Sequence, residues 1–404
     1  MHVTAASGLL AYGSTKNTKL VMTMWPKSAT MKTIHATESE YTTDTWWVIS
    51  EHEQISFDIA YSGIDPASGE QLVSSGDRFV LWCVCGDGDF FVNDLHFPHW
   101  NSDSMCLGLC LAQKASGPWC YNDFRASSKW RSRPLSTTFL IENHLAPHRH
   151  PWFNAKGVTV FMLMMDVLHC LDQNGCRSHL IGSLLFEFVY FENSHIPQKN
   201  ALAKVWRRID ELYTQLRVET KLTRLTLDMF CDKAAPHQSF AILSTAVKGA
   251  EQRHLMPVMV KLCEEMNSGS EHHRMRLLCI KSLLQFDKLA AGCSLVPSKA
   301  DGAAMYTALD LFLTTYQGCA DWAAREGHLL FQSVPKFHYT FHMAEQSRFL
   351  GPRSVWTYGW EDLVGIVIQL AHSCSVGTPA MSVPRKALGK YRIAMHVQLS
   401  RQWE

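Results

Sequence analysis

The chain has 404 residues, 47% of them hydrophobic and 19% charged, enough to bury one sizeable core or two smaller ones and too apolar for overall disorder. Lys and Arg number 38 against 37 Asp and Glu, so a net charge of +1 gives no general field for a polyanion, and any nucleic-acid contact must come from local patches. The apolar runs Gly157 to Met165 and Leu180 to Phe186 stop at Asp166 and Glu187, short of the roughly 20 residues of a membrane span, which excludes a transmembrane helix.

The start carries no basic segment followed by an apolar one, and the cysteines are scattered rather than framed as a disulfide scaffold, so a soluble protein of a reducing compartment is expected. Residues 1–70 are poorly specified: Trp46, Trp47 and Ile49 are their one concentrated strand-like signal, closed by the turn-forming Asp65-Pro66. A first part of an interrupted domain is expected over 71–190. In it, Arg78 to Gly86 is β-branched, aromatic and nearly uncharged, which predicts a strand buried on both faces and ended by glycine. Asp87, Asp89 and Asp94 follow at once. Pro98, Gly117-Pro118, Pro134, Pro147 and Pro151 predict a loop-rich insertion over 96–156. Gly157 to Met165 reads as a second buried strand, running into Asp166-Val-Leu-His169.

After Asn200 the period changes. Leu202, Val205, Trp206, Ile209, Leu212, Tyr213 and Leu216 recur at helical spacing with charged residues between them, and similar patterns fill Ser239 to Glu265, His272 to Ala291 and Ala303 to Ala324. A helical insertion over 191–330 is therefore expected, with the last part of the interrupted domain over 331–404. Val334 to His342 is mixed in pattern; Trp356 to Cys374 predicts a helix with Leu363, Ile366, Val367, Leu370 and Ala371 on its apolar face and Glu361 and Asp362 in its first turn.

Asp87 and Asp166, at the ends of two expected strands, and Glu361, at a helix start, can converge on one sheet edge. There they would hold two Mg²⁺ or Mn²⁺ ions about 3.5–4 Å apart for in-line attack on phosphodiesters, since hard cations prefer oxygen ligands. The alternative is that an Asp after a strand caps the next turn and a Glu-Asp pair serves the helix dipole. His169 shares a face with Asp166 if a helix begins there, where it can orient a phosphate or a water.

Those acids stand in Cys85-Gly-Asp-Gly-Asp89, in Met164-Met-Asp-Val-Leu-His-Cys-Leu-Asp172 with its Asp-x-x-His pattern, and in Trp356-Thr-Tyr-Gly-Trp-Glu-Asp-Leu-Val-Gly365. Between them lie Lys248-Gly-Ala-Glu-Gln-Arg-His254 and Pro335-Lys-Phe-His338. In these motifs, and in their order, the chain resembles the RNase H-like DDE transposases of the CACTA type, in particular divergent protist relatives, over about Gly76 to Arg401. The resemblance implies an α/β fold: an RNase H-like mixed sheet with flanking helices, interrupted by a large all-helical insertion. It implies a nuclear protein that cuts DNA at element ends and joins the freed 3′-hydroxyl to a target, with Asp87, Asp166 and Glu361 as metal ligands, Asp89 as the rival first acid, and His169 as a helper near the phosphate. It also leaves open a homo-oligomer, and an inactive relic or domesticated DNA-binding or scaffold protein, because residues 1–70 show no zinc-finger or helix-turn-helix signature for end recognition.

Cys106-x-x-x-Cys110, with Cys120, His144, His148 and His150, offers ligands for a structural Zn²⁺, and the resemblance leans the same way because a cysteine pair commonly follows the first acid. Reduced, partly buried cysteines are the alternative. Arg125, Lys129, Arg131 and Arg133, with Trp130 interleaved, form the clearest basic patch for a DNA backbone; Lys248 and Arg253 are a second, and Lys386, Lys390 and Arg392 a third. Phosphate-cradling Gly-rich loops, the serine-hydrolase elbow and the His-Glu-x-x-His helix are all missing, so nucleotide hydrolysis and serine-hydrolase chemistry have no anchor.

Overall fold

The structure, a computed structural model, describes the backbone of residues 2–7, 19–25, 45–72, 81, 83–106, 109–132, 150–379 and 382–400, and the side chains of 49–72, 81, 83–106, 109–132, 150–358, 363–379 and 382–397. The described chain is mostly helical, which corrects the expected RNase H-like mixed sheet. Strands β1 (His2–Ser7) and β2 (Lys19–Trp25) form an antiparallel pair of their own. Strands β3 (Val84–Gly86) and β4 (Leu163–Met165) form a two-stranded parallel sheet in the register Val84 to Leu163 and Gly86 to Met165.

The physical reason the second sheet stops at two strands lies at β4. The Gln346 side-chain amide accepts a hydrogen bond from Met165 N (2.9 Å) and donates one to Leu163 O (2.7 Å), as the peptide of a third strand would. Upstream, the apolar run does not extend as a strand, because Val160–Met162 turns as a 3₁₀ helix and leaves only Leu163–Met165 for pairing. Of the expected first strand, Val84–Gly86 is extended, and residues 78–80 and 82 lie outside the described residues. The strand-like signal around Trp46 is instead part of helix α1 (Thr45–Ser62), which anchors on the loop region through the Trp152 indole, donating to buried Glu53 (3.1 Å). The described parts of 96–156 are irregular, as expected, with short 3₁₀ turns at Lys129–Ser132 and Pro151–Asn154.

The helical body comprises α2 (Cys176–Phe186), α3 (Gln198–Gln215), α4 (Gly249–Glu265), α5 (Glu271–Gly292), α6 (Lys299–Arg325) and α7 (Pro335–Gln346). Helices α3, α5 and α6 follow the expected periodicity, with Val205, Ile209, Leu283 and Phe312 fully buried. Helix α4 starts ten residues later than its pattern suggested, because the segment before it is needed as a backbone partner: Leu243 N donates to Ser178 O of α2 (2.9 Å). Helices α8 (Tyr358–Ser375) and α9 (Val383–Ser400) pack on each other through Leu363, Val367, Cys374, Ala387, Tyr391 and Met395. No described helix is long and apolar enough to cross a membrane.

Every residue of α2 is buried, and Arg177, Ser178 and Ser183 hydrogen-bond into the surrounding body, while the His179 ring packs edge-on against Phe337. Gly182 lets the segment before α4 lie directly on it, since a Cβ there would sit 2.6 Å from Ile242 Cα. Gly182→Ala is therefore expected to lower the unfolding free energy by about 1–3 kcal/mol, read as a shift in the urea midpoint at unchanged m-value.

Candidate functional site

Because β3 and β4 pair in parallel with Gly86 opposite Met165, the residues that follow, Asp87 and Asp166, emerge side by side at the carboxyl end of the pair. Asp87 is half-buried and its Oδ1 accepts a hydrogen bond from Phe90 N (2.7 Å), while Oδ2 takes none from the described residues. Asp89 is exposed in the following turn. Asp166 is 2% exposed and receives five hydrogen bonds. Leu168 N (3.2 Å) and Thr357 N (2.8 Å) reach Oδ1, while His169 N (2.9 Å), the His169 Nδ1 ring nitrogen and Thr357 Oγ1 (2.6 Å) reach Oδ2. Asp166 is thus both a cap for the turn Leu168–Asp172 and the anchor for the residue that opens α8.

That anchor fixes the start of α8, the helix that carries Glu361, at Asp166. Thr357 is the N-cap residue of α8, and Glu361 lies in the first turn of that helix; its side chain lies outside the described residues. A second tie runs from the Tyr358 hydroxyl to Asp172 Oδ2. Asp172 pairs with Arg177 of α2, which also binds Asp287 of α5 through two bonds of 2.7 and 2.8 Å. Burial, reinforced by the Asp287 charge, pushes the Asp172 carboxyl well above its ordinary range, and burial pulls the Arg177 guanidinium down. Beside this network the Arg253 guanidinium of α4 stacks over Trp356 (4.7 Å) and Tyr358 (5.1 Å).

A second constellation lies further along α7, toward its amino end. Cys106 and Cys110, from the loop-rich region, meet His338 and His342 of α7 in a fully buried Cys₂His₂ cluster whose four ligand atoms lie within 4.8 Å of one another. Cys106 Sγ is 3.4 Å from His342 Nε2, Cys110 Sγ is 3.3 Å from His338 Nε2, and the two Nε2 atoms are 3.1 Å apart. Tetrahedral zinc, with Zn–N near 2.0–2.1 Å and Zn–S near 2.3 Å, demands edges of about 3.3 Å between nitrogens and about 3.6 Å between nitrogen and sulfur. The cluster is thus of the right chemistry and size to bind a metal such as zinc. His342 Nδ1 bonds Glu345 Oε2 (2.9 Å), a carboxylate behind the imidazole that turns Nε2 inward.

The charges in the cluster favour a Cys106 thiolate beside the His342 imidazole ring. Burial opposes ionisation of Cys106, yet the hydrogen bond from Cys110 and the His342 and His338 charges outweigh it and hold that thiol well below its usual range. Burial and the neighbouring Cys106 push Cys110 up. For His342, burial works downward, but the Cys106 thiolate and Glu345 raise the imidazole to about 10.

Of the other expected zinc ligands, Cys120 is half-buried and bonded to Asn122, His150 is buried against Trp152, and His144 and His148 lie outside the described residues. His338 and His342 were not foreseen as ligands, although their i, i+4 spacing on one helix face was a readable signal. Among the expected DNA contacts, Arg125 is exposed and paired with Asp123, and Lys129 and Lys248 are exposed. Arg131 is committed inward, to Asp310 (2.6 Å) and over the Phe341 ring (4.7 Å), and Trp130 is a buried core residue at 1% exposure. Arg133 lies outside the described residues.

Thr357→Val deletes one donor to a buried carboxylate, and about 1.5–3 kcal/mol of stability is expected to go with it, measurable by chemical denaturation. No family model matches the chain, and neither a curated protein nor a solved structure matches it.

Proposed function

We propose that the chain is a transposon-derived, transposase-like protein that cleaves DNA phosphodiesters and transfers the freed strand, with Asp87, Asp166 and Glu361 holding Mg²⁺ or Mn²⁺. The observation that carries this reading is the parallel register of β3 and β4, which sets Asp87 beside Asp166, together with the Thr357 bonds that bring the Glu361 helix to the same point. The reading rests on this site and its resemblance, not on the fold class.

Carboxylate oxygens are the ligands a hard cation prefers: Asp87 Oδ2 takes no hydrogen bond from the described residues, and a cation reaches Asp166 by displacing its partly exposed His169 ring donor. A divalent ion bound there supplies charge stabilisation for in-line displacement at phosphorus. The chain's own groups orient: Thr357 fixes the Asp166 carboxylate and the α8 start, and His169 stands ready to hold or pass a proton beside it. In the same reading Cys106, Cys110, His338 and His342 hold a structural Zn²⁺ that joins the loop-rich region to α7, and DNA approaches over the exposed basic residues Lys129 and Lys248.

A second reading is an inactive DNA-binding or scaffold descendant. The complete hydrogen-bond complement of Asp166 favours it, since a carboxylate so engaged already serves the fold.

Purified protein is expected to nick supercoiled plasmid with Mg²⁺, and Asp87→Asn and Asp166→Asn each to lose about 100-fold or more of that rate. Equal rates in wild type and variants would remove the proposal, and DNA retention in a gel shift without any nicking would establish the second reading. Elemental analysis is expected to find about one zinc per chain, falling well below that in Cys110→Ser and His338→Ala.

A further inference from the structure

Helix α7 carries both histidines of the Cys₂His₂ cluster and the glutamine that holds β4, and the three lie on one stripe of it. His338, His342 and Gln346 are spaced i, i+4, i+8 along α7, so the two imidazoles and the amide point to the same side, one turn above another. The imidazoles face Cys106 and Cys110, and the amide closes on Leu163 O and Met165 N of β4. Asp166 is the next residue after β4. Two further ties between α7 and its surroundings reinforce the same placement: Tyr339 Oη donates to Met105 O (2.9 Å), next to Cys106, and Lys336 Nζ donates to Gln173 O (2.6 Å), just past the turn that Asp166 caps.

We infer that Gln346 is a positioning residue, through which metal occupancy of the Cys₂His₂ cluster sets the order of β4 and of the Asp166 carboxylate. A two-stranded sheet with three residues in each strand cannot hold itself, because so short a pair has little cooperative support. The two backbone groups of β4 that a third strand would satisfy are held by one side chain, and the helix that presents that side chain is located by the metal site. With zinc bound, four ligand bonds fix the height and rotation of α7, so the Gln346 amide meets β4 in register. Without it, two thiols and two imidazoles are left packed in a buried space, α7 loses that clamp, and Gln346 no longer dictates where Leu163 and Met165 lie. Asp166 and the α8 start that hangs on it through Thr357 then lose their shared reference. The coupling depends on the metal reading of the Cys₂His₂ cluster and gives the acid site of the proposed activity its regulation. Its physical content, however, is a statement about backbone order in residues 160–172.

Hydrogen–deuterium exchange of the full chain separates these layers. Three samples are compared: zinc-loaded wild type, wild type stripped with a chelator and verified by elemental analysis, and zinc-loaded Gln346→Met, which keeps side-chain length and removes both hydrogen-bonding groups. Exchange in peptides covering 160–172 is expected to rise about tenfold or more on stripping, and by a comparable factor in Gln346→Met with zinc retained, while peptides from α5 and α6 stay protected. Stripping Gln346→Met is expected to add little, because the two changes break one linkage. Unchanged exchange at 160–172 in either perturbed sample would overturn the inference. So would a uniform rise across α5 and α6, which would make the metal a general fold requirement, or a wild type that holds no zinc. Mn²⁺ titration of the same samples by electron paramagnetic resonance reads the acid site independently: no Mn²⁺ binding by wild type would defeat the phosphodiester reading and leave the exchange result standing.

Discussion

The pairing of one glutamine amide with one strand is the contact on which the architecture turns. A buried strand edge must satisfy its N–H and C=O groups, and here Gln346 does so for Met165 and Leu163 in place of a further strand. The sheet therefore ends where α7 begins to cover it. This is how a chain with two parallel strands can still present carboxylates at adjacent strand ends: the sheet supplies the register of Asp87 and Asp166, and a helix supplies the rigidity that neighbouring strands would give elsewhere. The same helix buries Phe337, Phe341 and Ala344 in the main core, so its position is set by packing on one side and by polar chemistry on the other.

Around that axis the molecule keeps an unusual amount of charge inside. Arg177 lies between Asp172 and Asp287, and Arg276 lies between Glu187 and Glu192, with His272 on the other oxygen of Glu187 and stacked on Trp322 at 3.5 Å. Burying such groups is costly, and the desolvation is offset only when every charge has a close partner. Both networks tie α2 and the π-helical turn after it, Glu187–Phe191, to α5, so they fix the orientation of the helical body more than they add net stability. Through Asp172 and Tyr358 the first network reaches the start of α8, and the helical body thereby bears on the acidic site.

Legibility in the sequence followed exposure. Helices α3, α5 and α6 have a wet face, so their apolar residues show a 3.6-residue period and their existence was readable. Helix α2 is buried on all sides and α7 is nearly so; the polar residues of both are turned into the protein rather than to water, and neither was recognised as a helix. Apolar runs were read as longer strands than they are, because burial on both faces looks the same in a strand, a 3₁₀ turn and a core helix. Asp87 and Asp166 were readable as strand-end acids, and the structure sets them side by side. Cys106 and Cys110 were readable as a pair, but their partners were sought among the nearby histidines at 144, 148 and 150. His338 and His342 lie more than two hundred residues away, and proximity in the chain carried no information about proximity in space.

That separation sets an order of events during synthesis. Cys110 and Cys106 precede their histidine partners by 228 and 236 residues, so at ribosomal speeds the thiols emerge roughly 10–50 s before an imidazole exists to join them. For that interval they are a bare pair, open to oxidation or to transient capture by other thiol ligands, and the loop that carries them has no anchor. Closing the cluster is thus a late event in the birth of this chain, and the reducing power around the thiols during that half-minute bears on how many molecules mature with both cysteines intact.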